Sequence, residues 1–167
     1  MKATESNLIK SEACISECSK YRYWINHVWD SDKNIGAFVC LNPSKATSLK
    51  LDNTLSNCNN LSLQWGWGGF YIVNLFAYRS TDKGALRSVE DPIGSKNDVA
   101  IKFVANLVDD IVMAWGNGYK KRGVEVLRLL KNKRLYCLEK NKSGGYRHPG
   151  RIKLDDYPKP LPLRRKT

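Results

Sequence analysis

Four apolar runs, separated by segments of helical periodicity, constrain this chain more than any other feature. IGAFVCL (35–41), FYIVNLF (70–76), IVMAWG (111–116) and RLYCL (134–138) are short and nearly continuous in apolar residues. Such runs suit strands covered on both faces. Leu51 to Trp65 reads as a helix with Leu55, Cys58, Leu61 or Leu63, and Trp65 on its apolar side. Asp52 or Asn53 can cap its start. Ser95 to Asp110 reads as a second helix, with Phe103, Val104, Leu107 and Val108 as its stripe and Ser95 and Asp98 at capping-box spacing. Gly118 to Lys131 reads as a third, with Val124, Leu127 and Leu130 inward. Alternating strands and helices predict an α/β three-layer sandwich, with a central four-stranded, mainly parallel sheet and helices on both faces. YRYWINHVWD (21–30) alternates apolar with polar side chains. It is expected to add an N-terminal antiparallel edge strand, joined to IGAFVCL as a hairpin through the turn residues SDKN.

The chain has 167 residues, 42% of them hydrophobic, enough for one domain with a real core. That domain is expected over 21–150, after a loosely ordered lead-in (1–20) and before a basic, proline-rich tail (151–167). No apolar run is long enough to span a bilayer, and the N-terminus lacks the apolar core of a signal peptide. The five cysteines are odd in number, and Cys40 and Cys137 lie inside apolar runs. A cytoplasmic protein without disulfides is expected. Cys14 and Cys18 have CxxxC spacing, but His27 and His148 are the only histidines, so no metal site and no cofactor are expected. No Walker A or G-x-G-x-x-G motif opens a helix.

A net charge of +12 favours polyanionic partners, above all nucleic acid. In a parallel sheet the carboxyl ends of the strands share one edge, where ligands bind. On this reading the edge collects Asn42, Pro43, Ser44 and Lys45, then Asn74, Tyr78 and Arg79, then Trp115, and finally Arg147 and His148. It offers amide and imidazole groups for a base, rings for stacking and cations for phosphates. Each residue also has an ordinary use. Asn42 before Pro43 can shape a turn, Tyr78 and Trp115 can pack, and Arg79 can pair with Asp82 or Asp91.

YRYWINHVWD, LNPS, WGWGGFYIVNLFAYRSTD, DPIG with ND, AWG, and LYCL followed by GGYRHP resemble a bacterial and phage family catalogued as a domain of unknown function. The likeness runs from about Tyr21 to Pro149. More distantly, the layout is similar to the uracil-DNA glycosylase superfamily, in particular its mismatch-specific branch. There a G-I-N-P-G motif follows the first core strand, where CLNPS (40–44) stands here. An N-L-x-x-R-x-T segment follows the second, where NLFAYRST (74–81) has one additional residue before the arginine. A His- or Asn-Pro-Ser loop follows the last, where RHPG (147–150) stands. CLNPS lacks the flanking glycines, and RHPG lacks the serine.

This resemblance implies a DNA partner. Asn42 would orient a water against the sugar, and His148 would donate to the departing base. Pro43, Ser44, Asn74, Tyr78 and Trp115 would contact the substrate, while Lys45, Arg79 and Arg147 would bind phosphates. Asp52 is the nearby carboxylate that can stand in for a base. Three functions stay open: a DNA-glycosylase-like protein that recognises or excises an altered base; a non-catalytic binder of a modified base, nucleotide or nucleic-acid-associated partner; and a nucleoside- or nucleotide-processing enzyme.

Overall fold

The computed structural model describes residues 9–44, 53–82, 84–153 and 158–163. Their elements run β1 (Lys10–Ile15), β2 (Arg22–Val28), β3 (Ile35–Cys40), α1 (Asn53–Gln64), β4 (Gly69–Asn74), α2 (Ala85–Ser88), α3 (Asn97–Leu107), β5 (Asp110–Met113), α4 (Lys120–Leu129), β6 (Arg134–Cys137) and β7 (Leu161–Pro162). A 3-10 turn spans Pro149–Arg151. The fold is mixed α/β, but its sheet has seven strands rather than the expected four plus an edge, in the order β1-β2-β4-β3-β5-β6-β7. The strands β4, β3, β5 and β6 are mutually parallel. Antiparallel strands extend them, β2 and β1 on one side and β7 on the other.

The expected hairpin of β2 with β3 does not form, and β2 is not the edge strand. β4 sits between them, parallel to β3 from Ile35↔Gly69 to Cys40↔Asn74 and antiparallel to β2 from Ile25↔Ile72 to Val28↔Gly69. A glycine makes this insertion possible. Gly68 accepts from the Trp29 and Asp30 amides and donates to Asn34 O, so it fills the mouth of the would-be turn. A Cβ at Gly68 would lie 1.8 Å from Asp30 O. Two further strands come from stretches with weak strand signals. Residues 10–15 of the lead-in form β1. The proline-rich tail supplies β7, anchored by Leu163 N–H to Leu135 O at 2.8 Å and by Trp65 Nε1–H to Pro158 O at 3.1 Å.

Side-chain alternation divides the core into two layers. Ala37, Val39, Leu41, Val73, Leu75, Ile111 and Met113 pack with Ile101, Val104 and Ala105 of α3 and Val126 of α4. Phe38, Cys40, Phe70, Ile72 and Val112 pack with Leu55, Cys58 and Leu61 of α1. Helices therefore cover both faces. On α3 the buried stripe is Ile101, Val104, Ala105 and Val108, whereas Phe103 and Leu107 of the expected stripe stay about half exposed. α3 carries two apolar stripes, and the one with the smaller side chains lets the helix sit close to the sheet. On α4, Val126 and Leu130 are buried and Val124 is exposed; on α1, Leu61 rather than Leu63 faces inward. The expected Ser95–Asp98 capping box is absent. Lys96 holds the cap position without a side-chain bond, and Asp98 pairs with the buried Arg122.

Candidate functional site

The adjacent parallel strands β3 and β4 end together at Cys40 and Asn74. Their ladder continues outward through Leu75 N–H to Cys40 O and Phe76 N–H to Leu41 O. The chains then splay, leaving polar groups at the gap. Asn42 laces the two loops. Its Nδ2 donates to Ser80 O at 2.9 Å and to Pro43 O at 3.3 Å, while Ser80 N–H donates to Pro43 O. The amide nitrogen is thus committed to the scaffold, and Oδ1 is the acceptor that remains.

His148 arrives from the other side. After β6 the chain returns to β5's extension, where Gly116 and Tyr146 exchange backbone hydrogen bonds of 2.7 and 3.1 Å. The glycines are needed here, because a Cβ at Gly145 would lie 2.0 Å from Gly116 O. His148 caps the 3-10 turn, with Nδ1 accepting from Gly150 N–H at 3.1 Å. That bond places the ring proton of the neutral imidazole on Nε2 and makes Nε2 a donor. Buried Asn57 of α1 holds the same turn, donating to Pro149 O at 2.8 Å and Ile152 O at 3.3 Å.

Between these walls lies a cleft of about 230 Å³. Asn42, Pro43, Ser44, Asn74 and His148 line it together with Arg22, Thr54, Ser80 and Thr81. Asn74 is 2% exposed, and its Nδ2 has no hydrogen-bond partner among the described residues. Its backbone carbonyl is held by buried Asn97, whose Nδ2 also donates to Leu75 O. Among the described residues, no Asp or Glu lines the cleft. Nor do the described residues contain a group of three or more His, Cys, Asp or Glu placed to hold a metal. At about 230 Å³ the cleft is smaller than the ~300–1,000 Å³ typical of drug-sized ligands.

Five of the ten expected site residues thus share one cleft. Tyr78 and Arg79 line a separate recess with Ser19 and Lys20. There Arg79 Nη1 donates to Ser19 O at 3.1 Å, and Tyr78 meets Tyr21 edge-on at 5.9 Å. Trp115 is a core residue, 5% exposed, with Tyr146 edge-on at 4.8 Å. Burial there pushes the Tyr146 phenol up from its usual range. Arg147 pairs with Glu139 at 3.4 Å. Lys45 and Asp52 lie outside the described residues. Sequence reasoning missed Arg22, Thr54, Ser80 and Thr81 as lining residues. Ser80 and Thr81 stood inside the conspicuous NLFAYRSTD block, and Thr54 two residues after Asp52. Arg22 had no signal at all, since strand alternation assigns it the other face.

Fold and site together define a mixed α/β protein with a small, donor-rich cleft at the carboxyl edge of its parallel strands. Residues 22–150 match the family described as protein of unknown function (DUF1643), and the chain belongs to that family. No curated protein and no solved structure matches it.

Proposed function

We propose that this chain binds nucleic acid and receives one altered base in the cleft, as a DNA-glycosylase-like protein that recognises or excises that base. The observation that carries the reading is the meeting of Asn42 and His148 in one cleft, with the buried Asn74 amide beside them. Excision breaks the bond between sugar and base. A water adds to the anomeric carbon, and the electron pair leaves with the base. Asn42 Oδ1 accepts from that water and orients it, its amide held in place by Ser80 O. An amide does not take the water's proton, so that proton passes to solvent. His148 Nε2–H donates to the charge that develops on the departing base. The basic surface holds the phosphates and brings the flipped nucleotide to the cleft.

Base release from duplexes carrying uracil, mismatched or modified bases tests this directly. Release by the wild type, lost in both Asn42→Ala and His148→Ala, is the expected result. No release from any substrate, with DNA binding intact, would remove the hydrolytic half. Hydrolysis of free nucleotides without DNA affinity would instead select a nucleotide-processing enzyme.

A further inference from the structure

Arg22 reaches the cleft because of an irregularity in the sheet. β1 and β2 pair residue by residue from Lys10↔Val28 to Cys14↔Trp24, and then Ile15 pairs with Arg22, so Tyr23 is skipped. Before this bulge β2 alternates normally. Ile25 belongs to the α1-side core with Phe38 and Cys40, and Trp24 packs against the α3-side core. Strict alternation would return Tyr23 to the face of Ile25 and Arg22 to the face of Trp24. Instead Tyr23 and Trp24 together line the recess against Phe103 of α3. Arg22 turns to the opposite face and lines the cleft with Cys40, Ile72, Asn74 and His148. Its backbone is pinned by its N–H to Ala77 O at 2.9 Å, and the residue is 8% exposed. Bulges beside functional sites commonly re-aim a side chain in this way.

A guanidinium carries its charge at every physiological pH and has five donors and no acceptor. Five donors are enough to hold the scaffold and still address a ligand. The neighbouring Asn74 Nδ2 and His148 Nε2 are donors too, and no carboxylate lines the cleft among the described residues. We infer that Arg22, delivered by the β2 bulge, makes the cleft select a ligand that places an anionic oxygen at its floor. That oxygen belongs either to a phosphate or to an ionised ring of a base. The inference rests on the reading of this cleft as the ligand site.

Calorimetric titration of the full-length protein separates the sources. One arm compares nucleosides with their 5′-monophosphates and with inorganic phosphate. The other uses uracil, 5-fluorouracil and 5-nitrouracil, a series of rising ring acidity. A preference for the monophosphates assigns the phosphate; affinity that climbs with acidity assigns the ring. Arg22→Gln is expected to weaken the preferred probe by about 10- to 100-fold, the worth of a charged hydrogen bond, and to weaken the uncharged nucleosides far less. Arg22→Lys keeps the charge but not the fork, and is expected to fall between. Charge-independent binding by the wild type, or no binding of any probe, overturns the inference. So does a charge preference that survives in Arg22→Gln. Should that variant not fold, the wild-type arms and Arg22→Lys still decide. DNA binding without any charge preference defeats this inference and spares the proposed function; Arg22-dependent anion binding without nucleic-acid affinity does the reverse.

Discussion

Asn42 divides its amide between two tasks. Nδ2 secures the loop through Ser80 O and Pro43 O, and the proposed function gives Oδ1 the water. The asparagine was legible in the sequence because it stops a buried strand. Its partner Ser80 was not, since nothing local links residues 38 positions apart. Arg22 shows the same limit more sharply. Period-two reasoning assigns every side chain a face, and one skipped residue reverses the assignment. His27 lies on the same strand but away from the cleft. Its ring packs on Phe70 at 5.5 Å, and its Nε2 is buried without a hydrogen-bond partner among the described residues. Burial pushes its pKa below the ordinary 6.5. The unfolded chain therefore takes up the proton first. Stability from the neutral ring is present above pH 6.5 and drains as pH falls through the depressed folded value. Urea melts between about pH 7.5 and 5 are expected to show this loss, and His27→Gln is expected to flatten that part of the profile.

At the scale of elements, α1 does more than cover the sheet. Through Asn57 it grips the turn that carries His148, tying one wall of the cleft to the helix beneath. Asn57→Ala removes two donors from buried carbonyls and is expected to cost about 1–3 kcal/mol. Hydrogen exchange is the sharper measurement. Protection should fall across residues 148–152 before it falls in β3 or β5, and uniform loss would show that the clamp is not local. The strands and helices themselves were largely readable, because long apolar runs and helical periodicity are strong signals. The inward face of α3 was half legible: Val104 and Val108 are buried as expected, but Ile101 and Ala105 complete the stripe in place of Phe103 and Leu107. Tail strand β7 was unreadable for a different reason. It is two residues long and holds by backbone bonds to β6 and by the Trp65 indole reaching Pro158, neither of which leaves a mark in local sequence.

For the whole molecule, charge and cleft act at different ranges. On the proposed reading, the net +12 would act at long range and supply affinity without selectivity, and the cleft would read only what reaches it. Duplex binding should therefore weaken steeply between about 50 and 200 mM salt, with log K falling by about 0.9 for each phosphate contacted. A flat response in a fluorescence-anisotropy titration would point to a small ligand or a protein partner. Arg79 and Arg147 turn towards Ser19 O and Glu139, so neither is expected to dominate that slope. No helix among the described residues is long and apolar enough to cross a membrane.

The insertion of β4 between β2 and β3, with Gly68 wedged into the would-be hairpin, also dictates an order of events during synthesis. β2 can pair with β1 as soon as both have left the ribosome, yet its other edge and β3 lack their shared neighbour until residues 69–74 have emerged. The two strands must wait with open edges for a third. A partner so distant in sequence slows the search and prolongs the exposure of sticky backbone. Truncation before Gly68 would strand the chain at that stage, so nascent lengths ending in α1 should recruit chaperones, and lengths past Asn74 should release them.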